Sequence, residues 1–161
     1  MGFVNIDGHE ITSGSGFGYM RDESGKLKRN EHNFEVKIGK DVEIGRLVNI
    51  DKGSWRDTEI GQGTKIDSHV HISHNAIIGE HCLLIAGSSI GGSSKIGDYS
   101  YLGFNAVIKH HVTIGKHVII GAGAIVINDV ADYEIMAGNP AKSIKSKVKL
   151  TDKERFRMVG Y

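Results

Sequence analysis

An aliphatic side chain recurs at every sixth position of residues 60–126: Ile60, Ile66, Ile72, Ile78, Leu84, Ile90, Ile96, Leu102, Ile108, Ile114, Ile120 and Val126. A small or β-branched residue stands two positions before each of them: Thr58, Thr64, Val70, Ala76, Cys82, Ser88, Ser94, Ser100, Ala106, Val112, Val118 and Ala124. A period of six fits neither an α-helix nor a simple amphipathic strand. It therefore predicts a repeating unit made of one short strand and one turn.

Such a unit cannot bury its inward side chain alone. Stacking the units into a coiled prism hides every aliphatic side chain and pairs the backbone amides with the rungs above and below. Each fully buried Ile or Leu contributes roughly 1.5–3 kcal/mol, so the stack forms its own core. The pattern predicts an all-β protein, a parallel β-helix.

The order of aliphatic residue, frequent Gly, two variable residues, small residue and variable residue resembles the hexapeptide repeat of the left-handed β-helix acyltransferases. The resemblance covers residues 36 to about 145. It implies a left-handed coil with three sides, eighteen residues per coil and about seven coils in all. It also implies a homotrimer with active sites between neighbouring prisms.

Several segments leave the repeat. We expect residues 1–145 to form the β-helix acyltransferase domain, with an incomplete coil in residues 1–12 and an extruded, Gly-rich loop in residues 13–33. Residues 53–57 interrupt the period and predict a bulge that carries Trp55. Residues 146–161 are predicted to be a capping segment, because Thr151 and Glu154 form a capping box for a short helix to about Val159.

Composition excludes some classes of function. The chain has 20 Lys and Arg against 19 Asp and Glu, so no overall field favours nucleic acid or an anionic membrane. Its one Cys, Cys82, occupies an inward slot, and a chain without disulfides suits a reducing compartment. No apolar run is long enough to span a bilayer, and the first residues lack the pattern of a signal peptide. We expect a cytoplasmic protein.

The nine His residues are the first candidates for chemistry. His69, His71 and His74 cluster within six residues, whereas His9, His32, His81 and His117 are interpreted as solvated surface positions. Along a strand, alternate residues share a face, so His69 and His71 should point together and His74 should lie past the corner.

Residues 65–80 resemble the catalytic segment of the UDP-3-O-acylglucosamine N-acyltransferases, a group within the hexapeptide family. Further matches are residues 14–19, 50–53 and 90–97. The resemblance implies that His74 is the general base, that His111 assists it, and that the Gly92 N–H holds the thioester carbonyl. Candidate acceptor contacts at the same corner are His71, Asn75, His110 and Trp55.

Geometry supports this assignment independently. One coil of eighteen residues separates His74 from Gly92, and stacked strands lie about 4.8 Å apart. A base and an oxyanion donor one rung apart are what acyl transfer to an amine or hydroxyl requires.

Two features depart from that group. No segment ahead of the β-helix resembles its uridine-binding domain, and its donor is an acyl carrier protein that docks on a helical C-terminus. Residues 135–142 instead resemble the coenzyme A-binding end of sugar and xenobiotic acetyltransferases. This implies acetyl-CoA as the donor substrate. The expected donor contacts are Gly103, Gly121, Ala122, Asn139, Pro140 and Lys142, with Lys142 meeting a phosphate.

The sequence thus predicts an N-acetyltransferase that acts on a nucleotide-linked amino sugar, without a metal. O-acetylation of a sugar or polysaccharide is the alternative that the same base would serve. Zinc-dependent carbonic anhydrases share the fold, and the His-rich turn could suggest their three-imidazole site. A non-catalytic scaffold is the remaining alternative.

Overall fold

The hexapeptide period becomes a left-handed parallel β-helix in the computed structural model of the chain, which describes residues 2–6, 9–13, 15–144, 151 and 153–154. Almost every repeat contributes a two-residue strand that ends on the inward aliphatic residue, followed by a four-residue corner. The predicted fold class is confirmed.

Fifteen strands make five complete coils of three strands each. They are β5 (Val36–Ile38), β6 (Glu43–Ile44), β7 (Asn49–Ile50), β8 (Thr58–Ile60), β9 (Lys65–Ile66), β10 (His71–Ile72), β11 (Ile77–Ile78), β12 (Leu83–Leu84), β13 (Ser89–Ile90), β14 (Lys95–Ile96), β15 (Tyr101–Leu102), β16 (Val107–Ile108), β17 (Thr113–Ile114), β18 (Ile119–Ile120) and β19 (Ile125–Val126).

Strands three apart in sequence pair in parallel and form the three sides of the prism. Sheet I contains β7, β10, β13, β16 and β19, sheet II contains β5, β8, β11, β14 and β17, and sheet III contains β6, β9, β12, β15 and β18. From β8 to β19 the paired residues lie eighteen apart, as in Ile72 with Ile90. The chain runs from sheet I to sheet II through a turn that we call the I–II corner.

The interior of the prism contains the residues that the period predicts. All twelve aliphatic residues of the series are buried, and so are all twelve small residues that precede them. Where the small residue of a repeat is Ser or Thr, its hydroxyl can form hydrogen bonds between coils. Ser100 Oγ donates to Gly115 O at 2.9 Å and accepts from Val118 N at 3.1 Å. Cys82 lies inside, where burial raises the pKa of its thiol to about 11.

The N-terminal residues differ from the prediction. Instead of an incomplete coil, β1 (Gly2–Ile6) and β2 (His9–Ser13) pair in an antiparallel hairpin, and β2 adds to sheet I beside β7. β3 (Tyr19–Arg21) and β4 (Leu27–Arg29) form a second, exposed hairpin, which agrees with the extruded loop.

The bulge in residues 53–57 shifts the register between the first two coils. Ile50 pairs with Ile72, which is twenty-two residues on instead of eighteen. Four additional residues are thereby accommodated at the I–II corner, next to the segment that contains His74.

The solenoid ends one coil earlier than predicted. A partial sixth coil consists of an isolated bridge at Val130, β20 (Ile135–Ala137) and β21 (Lys142–Ser143), which turns back antiparallel to β20. Thr151 N donates to Glu154 Oε2 at 2.7 Å and Glu154 N donates to Thr151 Oγ1 at 3.3 Å, which are the two hydrogen bonds of a capping box. The predicted helix to Val159 lies largely outside the described residues, and the boundary at residue 146 stays a prediction. No helix in the described part of the chain is long and apolar enough to cross a membrane.

Candidate active site

The I–II corner stacks the predicted catalytic residues in successive coils. His74, Gly92 and His110 occupy one row, and Asn75, Ser93 and His111 occupy the next. Backbone hydrogen bonds fix this stack: Ser93 N donates to His74 O at 2.9 Å, and His111 N donates to Gly92 O at 3.0 Å. The eighteen-residue spacing therefore brings His74, Gly92, His110 and His111 to one corner.

Gly92 lies directly against the imidazole of His74. A Cβ on residue 92 would lie 2.8 Å from Cε1 and 2.9 Å from Nε2 of His74, so a side chain there would force the His74 ring to move. The Gly92 N–H forms no hydrogen bond with another described residue. A backbone donor without a partner beside an imidazole is suited to bind an oxyanion.

Asn75 fixes the other edge of the His74 ring. Its Oδ1 accepts hydrogen bonds from the backbone N–H of Ser54 at 2.8 Å and of Trp55 at 3.3 Å. These two donors orient the amide, so Nδ2 faces Nδ1 of His74 at 2.7 Å and Oγ of Ser54 at 3.1 Å. Because Nδ1 accepts this hydrogen bond, a neutral His74 carries its proton on Nε2.

The bulge also holds the backbone of Asn75, which is completely buried and has a φ of 60°. Arg56 donates to Asn75 O from Nε at 2.9 Å and from its terminal nitrogen at 2.6 Å. Asn75 N donates to Thr58 Oγ1 at 2.9 Å. With its hydrogen bonds satisfied inside the protein, Asn75 is placed to position His74. Its predicted contact with the acceptor stays untested.

His74 is partly buried and is surrounded by ionisable side chains. Desolvation is the main cause that lowers the pKa of His74, and the imidazoles of His32, His111 and His71 lower it further. The carboxylate of Asp51 acts in the opposite direction. The net effect favours the neutral ring, which is the form that accepts a proton.

His71 begins β10, and Asp51 directly follows the neighbouring strand of sheet I, β7. Asp51 is buried, and its Oδ1 accepts from Asn49 Nδ2 at 2.9 Å. Asn49 Nδ2 also lies 3.0 Å from His71 Nδ1, and His71 Nε2 lies 3.9 Å from Asp51 Oδ2. The sequence identified Asp51 only as part of a matching segment, and the structure adds it as a carboxylate next to two imidazoles.

The remaining acceptor candidates line the outside of the corner. His110 and His111 are exposed, with ring centroids 5.5 Å apart in an edge-to-face arrangement. Trp55 is 58% exposed, and Arg56 Cζ lies 4.7 Å from the centre of its ring. These side chains are available to a ligand at the corner.

The predicted donor contacts lie further along the solenoid. Gly103 is buried, and a Cβ there would lie 2.8 Å from Ala122 N, so coil stacking already requires glycine. Gly121 is partly exposed, and Ala122 is exposed. The turn with Asn139 and Pro140 is exposed beside β19, as is Lys142. This turn is four rungs beyond His74, about 19 Å along the axis.

The interpretation of His32 as a solvated surface residue is wrong. Its side chain is buried, and its ring centroid lies 5.1 Å from that of His74 in an edge-to-face contact. His32 belongs to the non-repeating segment, so no spacing rule pointed to it. His69 is separated from His74 by β10, and no group of three potential metal ligands is found among the described residues.

Comparison with known proteins identifies the repeat. Residues 57–92 and 93–128 each match the family model described as bacterial transferase hexapeptide (six repeats). These two segments contain His74, Gly92, His110 and His111.

Part of this chain is similar in sequence to a curated protein. A probable UDP-3-O-acylglucosamine N-acyltransferase 2, mitochondrial, from Arabidopsis thaliana is 50% identical over 78 residues, which are 48% of this chain and 26% of that protein. The chain thus matches about a quarter of the length of this curated relative.

Solved structures share the fold. A mutant of perosamine N-acetyltransferase from Caulobacter crescentus, in complex with CoA and GDP-perosamine, has 26% identity and a TM-score of 0.59, covering 70% of this chain and 57% of that one. LpxA from Acinetobacter baumannii has 23% identity and a TM-score of 0.74. The match covers 94% of this chain and 55% of the LpxA chain. The latter supports the fold alone.

Proposed function

Residues 57–128 match the hexapeptide repeats of the bacterial transferase family, and from that premise we propose that the protein is an N-acyltransferase for an amino sugar. The observation that carries this proposal is the I–II corner, where a half-buried imidazole contacts a backbone glycine whose N–H lacks a partner among the described residues. That pair supplies a base and an oxyanion donor at one place.

In the proposed reaction, the acceptor amine attacks the carbonyl carbon of a thioester. The Gly92 N–H stabilises the oxyanion of the tetrahedral intermediate, the C–S bond then breaks, and the departing thiolate takes up the proton that His74 has removed from the amine. His74 removes the proton from the attacking nitrogen, and His111 orients the acceptor. No acyl-enzyme forms, because Cys82 is buried and its thiol is protonated at neutral pH.

The hydrogen bond from Asn75 controls which nitrogen of His74 can act. With Nδ1 accepting from Asn75 Nδ2, the neutral ring has its proton on Nε2. Proton acceptance at Nε2 requires the other tautomer, in which Nδ1 carries the proton. Asn75 then releases Nδ1 and keeps its hydrogen bond to Ser54 Oγ.

Acetyl-CoA is the proposed donor. The perosamine enzyme named above was solved with CoA. The exposed Lys142 lies near the turn about 19 Å along the axis from His74, so only a long, extended donor could contact both. An acyl carrier protein would present a thioester of the same chemistry, and absence of acetyl-CoA binding in the calorimetry described below would favour that donor.

A nucleotide-linked amino sugar is the proposed acceptor, because both the Arabidopsis relative and the perosamine enzyme are named for amino-sugar substrates. We further propose a homotrimer, which light scattering would report as three times the 17.5 kDa of one chain. The cytoplasmic location stays a prediction, since the Arabidopsis relative is named as mitochondrial.

Calorimetry tests the proposal. Acetyl-CoA is titrated into the protein, and nucleotide-linked amino sugars and their hydroxyl analogues are then added in turn. We expect donor binding, and turnover with an amine acceptor that falls about 10²–10⁴-fold in His74→Ala. Full turnover in that variant would refute the assignment of the base, and turnover with the hydroxyl analogue alone would establish O-acylation.

A further inference from the structure

His32 follows the exposed hairpin but is itself buried, with 6% of its surface accessible. Its Nδ1 lies 3.0 Å from Asn30 O and donates a hydrogen bond to it, because a carbonyl can only accept. In the neutral ring, the other nitrogen, Nε2, is an acceptor. It is buried without a hydrogen-bond partner among the described residues. Burial of an unpaired acceptor opposes folding, so packing alone does not account for a histidine at this position.

The contact between His32 and His74 is close and depends on a glycine. The two rings meet edge to face at 67°, with centroids 5.1 Å apart. Gly16 packs beside both: a Cβ on residue 16 would lie 2.9 Å from His32 Nε2 and 2.9 Å from His74 Cβ. Gly16 is buried. The residues that flank the β3–β4 hairpin, which we call its root, therefore fill the space beside His74.

The root of the hairpin is fixed to the solenoid on both sides. Ser15 forms a parallel bridge with Lys52, and Phe34 N donates to Gly53 O at 3.1 Å. Arg29 reaches back to the carbonyls of Ser15 and Gly16 at 3.2 and 3.3 Å. His32 is thus held at the I–II corner independently of the exposed β3–β4 tip.

We propose that His32 is a positioning residue for His74: its buried ring covers one side of the His74 imidazole, excludes water there, and holds the ring between Asn75 and Gly92. The proposal rests on the proposed function for its catalytic consequence. Three contacts then determine the orientation of His74, namely Asn75 at Nδ1, Gly92 at Cε1 and Nε2, and His32 across the ring.

The pKa of His74 reports whether water is excluded from this side of its ring. Desolvation is the main cause of its lowering, and His32 is the next. The other groups that act on His74 are His71, His111 and Asp51, and they are unchanged by a substitution at residue 32. Opening the corner to water should therefore raise the pKa of His74.

NMR titration of the full chain with labelled histidine tests the proposal without any substrate. The Cε1–H signal of His74 is identified by its absence in His74→Gln, and its pKa is compared in the wild type, His32→Ala and His32→Phe. His81→Phe is the matched control, since His81 stacks on Tyr99 at a different corner. Circular dichroism establishes that each variant is folded.

We expect His32→Ala to raise the pKa of His74, and His32→Phe, which refills the space with a ring but also removes the electrostatic effect of His32, to raise it less. An unchanged pKa in His32→Ala, or an equal rise in both variants, would overturn the proposal. Once a substrate pair is known, kcat should fall about 10- to 100-fold in His32→Ala and recover in His32→Phe. Absence of turnover with every donor would refute the proposed function, and the titration would still decide the role of His32.

Discussion

Asn75 offers the sharpest test at the scale of single residues. Asn75→Asp replaces Nδ2 by an oxygen that accepts a hydrogen bond, while the backbone N–H groups of Ser54 and Trp55 still find an acceptor at the other oxygen. The carboxylate should fix the proton of His74 on Nδ1 and favour the imidazolium, so the pKa of His74 should rise. Nitrogen-15 NMR of the ring reports both the tautomer and the pKa.

The control for that substitution is Asn75→Ala, which removes the hydrogen bond without adding charge. It should leave the His74 tautomer free and lower turnover, whereas Asn75→Asp should retain turnover at neutral pH. If the aspartate variant keeps the proton on Nε2, the hydrogen bond does not control the tautomer.

The lowered pKa of His74 predicts the pH dependence of the reaction. A base is active only when it is unprotonated, and burial lowers the pKa of His74 below its ordinary value of about 6.5. Once corrected for the protonation of the acceptor amine, the acid limb of kcat/KM should therefore lie below about pH 6.5. A profile of kcat/KM from pH 4.5 to 8 measures it, and a limb above about 6.5 would contradict the burial argument.

Two kinds of residue in the site differ in how far sequence could predict them. His74, Gly92 and His111 fall in the repeat, where spacing translates directly into stacking, so their juxtaposition at one corner could be predicted. His32 and Gly16 come from a segment without a period, and their contact with His74 spans more than forty residues of sequence. No local pattern encodes such a contact, and a histidine in a polar segment resembles a solvated one.

At the scale of elements, the strands of the solenoid were predictable because each is specified by its own hexapeptide. The N-terminal hairpin was not, although β1 and β2 are separated by Asp7-Gly8, a sequence favoured in two-residue turns. The aliphatic residues Val4, Ile6 and Ile11 suggested another coil, but antiparallel pairing of β1 with β2 prevailed. The position of the bulge was evident from the broken period, whereas its hydrogen bonds to Asn75 depend on side-chain geometry.

The bulge should fix the backbone of the segment that contains His74. Arg56→Met removes both hydrogen bonds to Asn75 O and leaves that carbonyl without its charged partner. We expect a loss of about 1–3 kcal/mol in the free energy of unfolding, measured in urea, and a roughly tenfold lower kcat.

Lys37→Met is the control for the bulge. It removes the ion pair between the exposed Lys37 of β5 and Asp57 of the bulge, and Lys37 makes no contact with Asn75. The urea midpoint and kcat should both stay close to the wild-type values. Equal losses of stability and of kcat in the two variants would show that any substitution near the bulge has this effect and that Arg56 has no specific role.

At the scale of the whole molecule, stability should depend on the position of a coil in the stack. Each coil packs only on its neighbours, so a side chain with a coil on both sides supports two interfaces. Leu84 is completely buried in the third coil, between Ile66 and Leu102 of sheet III, whereas Ile44 belongs to the first coil and pairs on one side only. Both side chains point into the same core.

Leu84→Ala should therefore cost about 2–5 kcal/mol in the free energy of unfolding, and Ile44→Ala should cost less. The two substitutions remove similar volumes, so the difference reports the number of neighbouring coils. Urea unfolding followed by circular dichroism measures both, with hydrogen exchange to locate the loss of protection. In Leu84→Ala, protection should fall on both flanking coils and at the I–II corner. If Ile44→Ala costs as much as Leu84→Ala, the solenoid unfolds as one cooperative unit and the nearest-neighbour description fails.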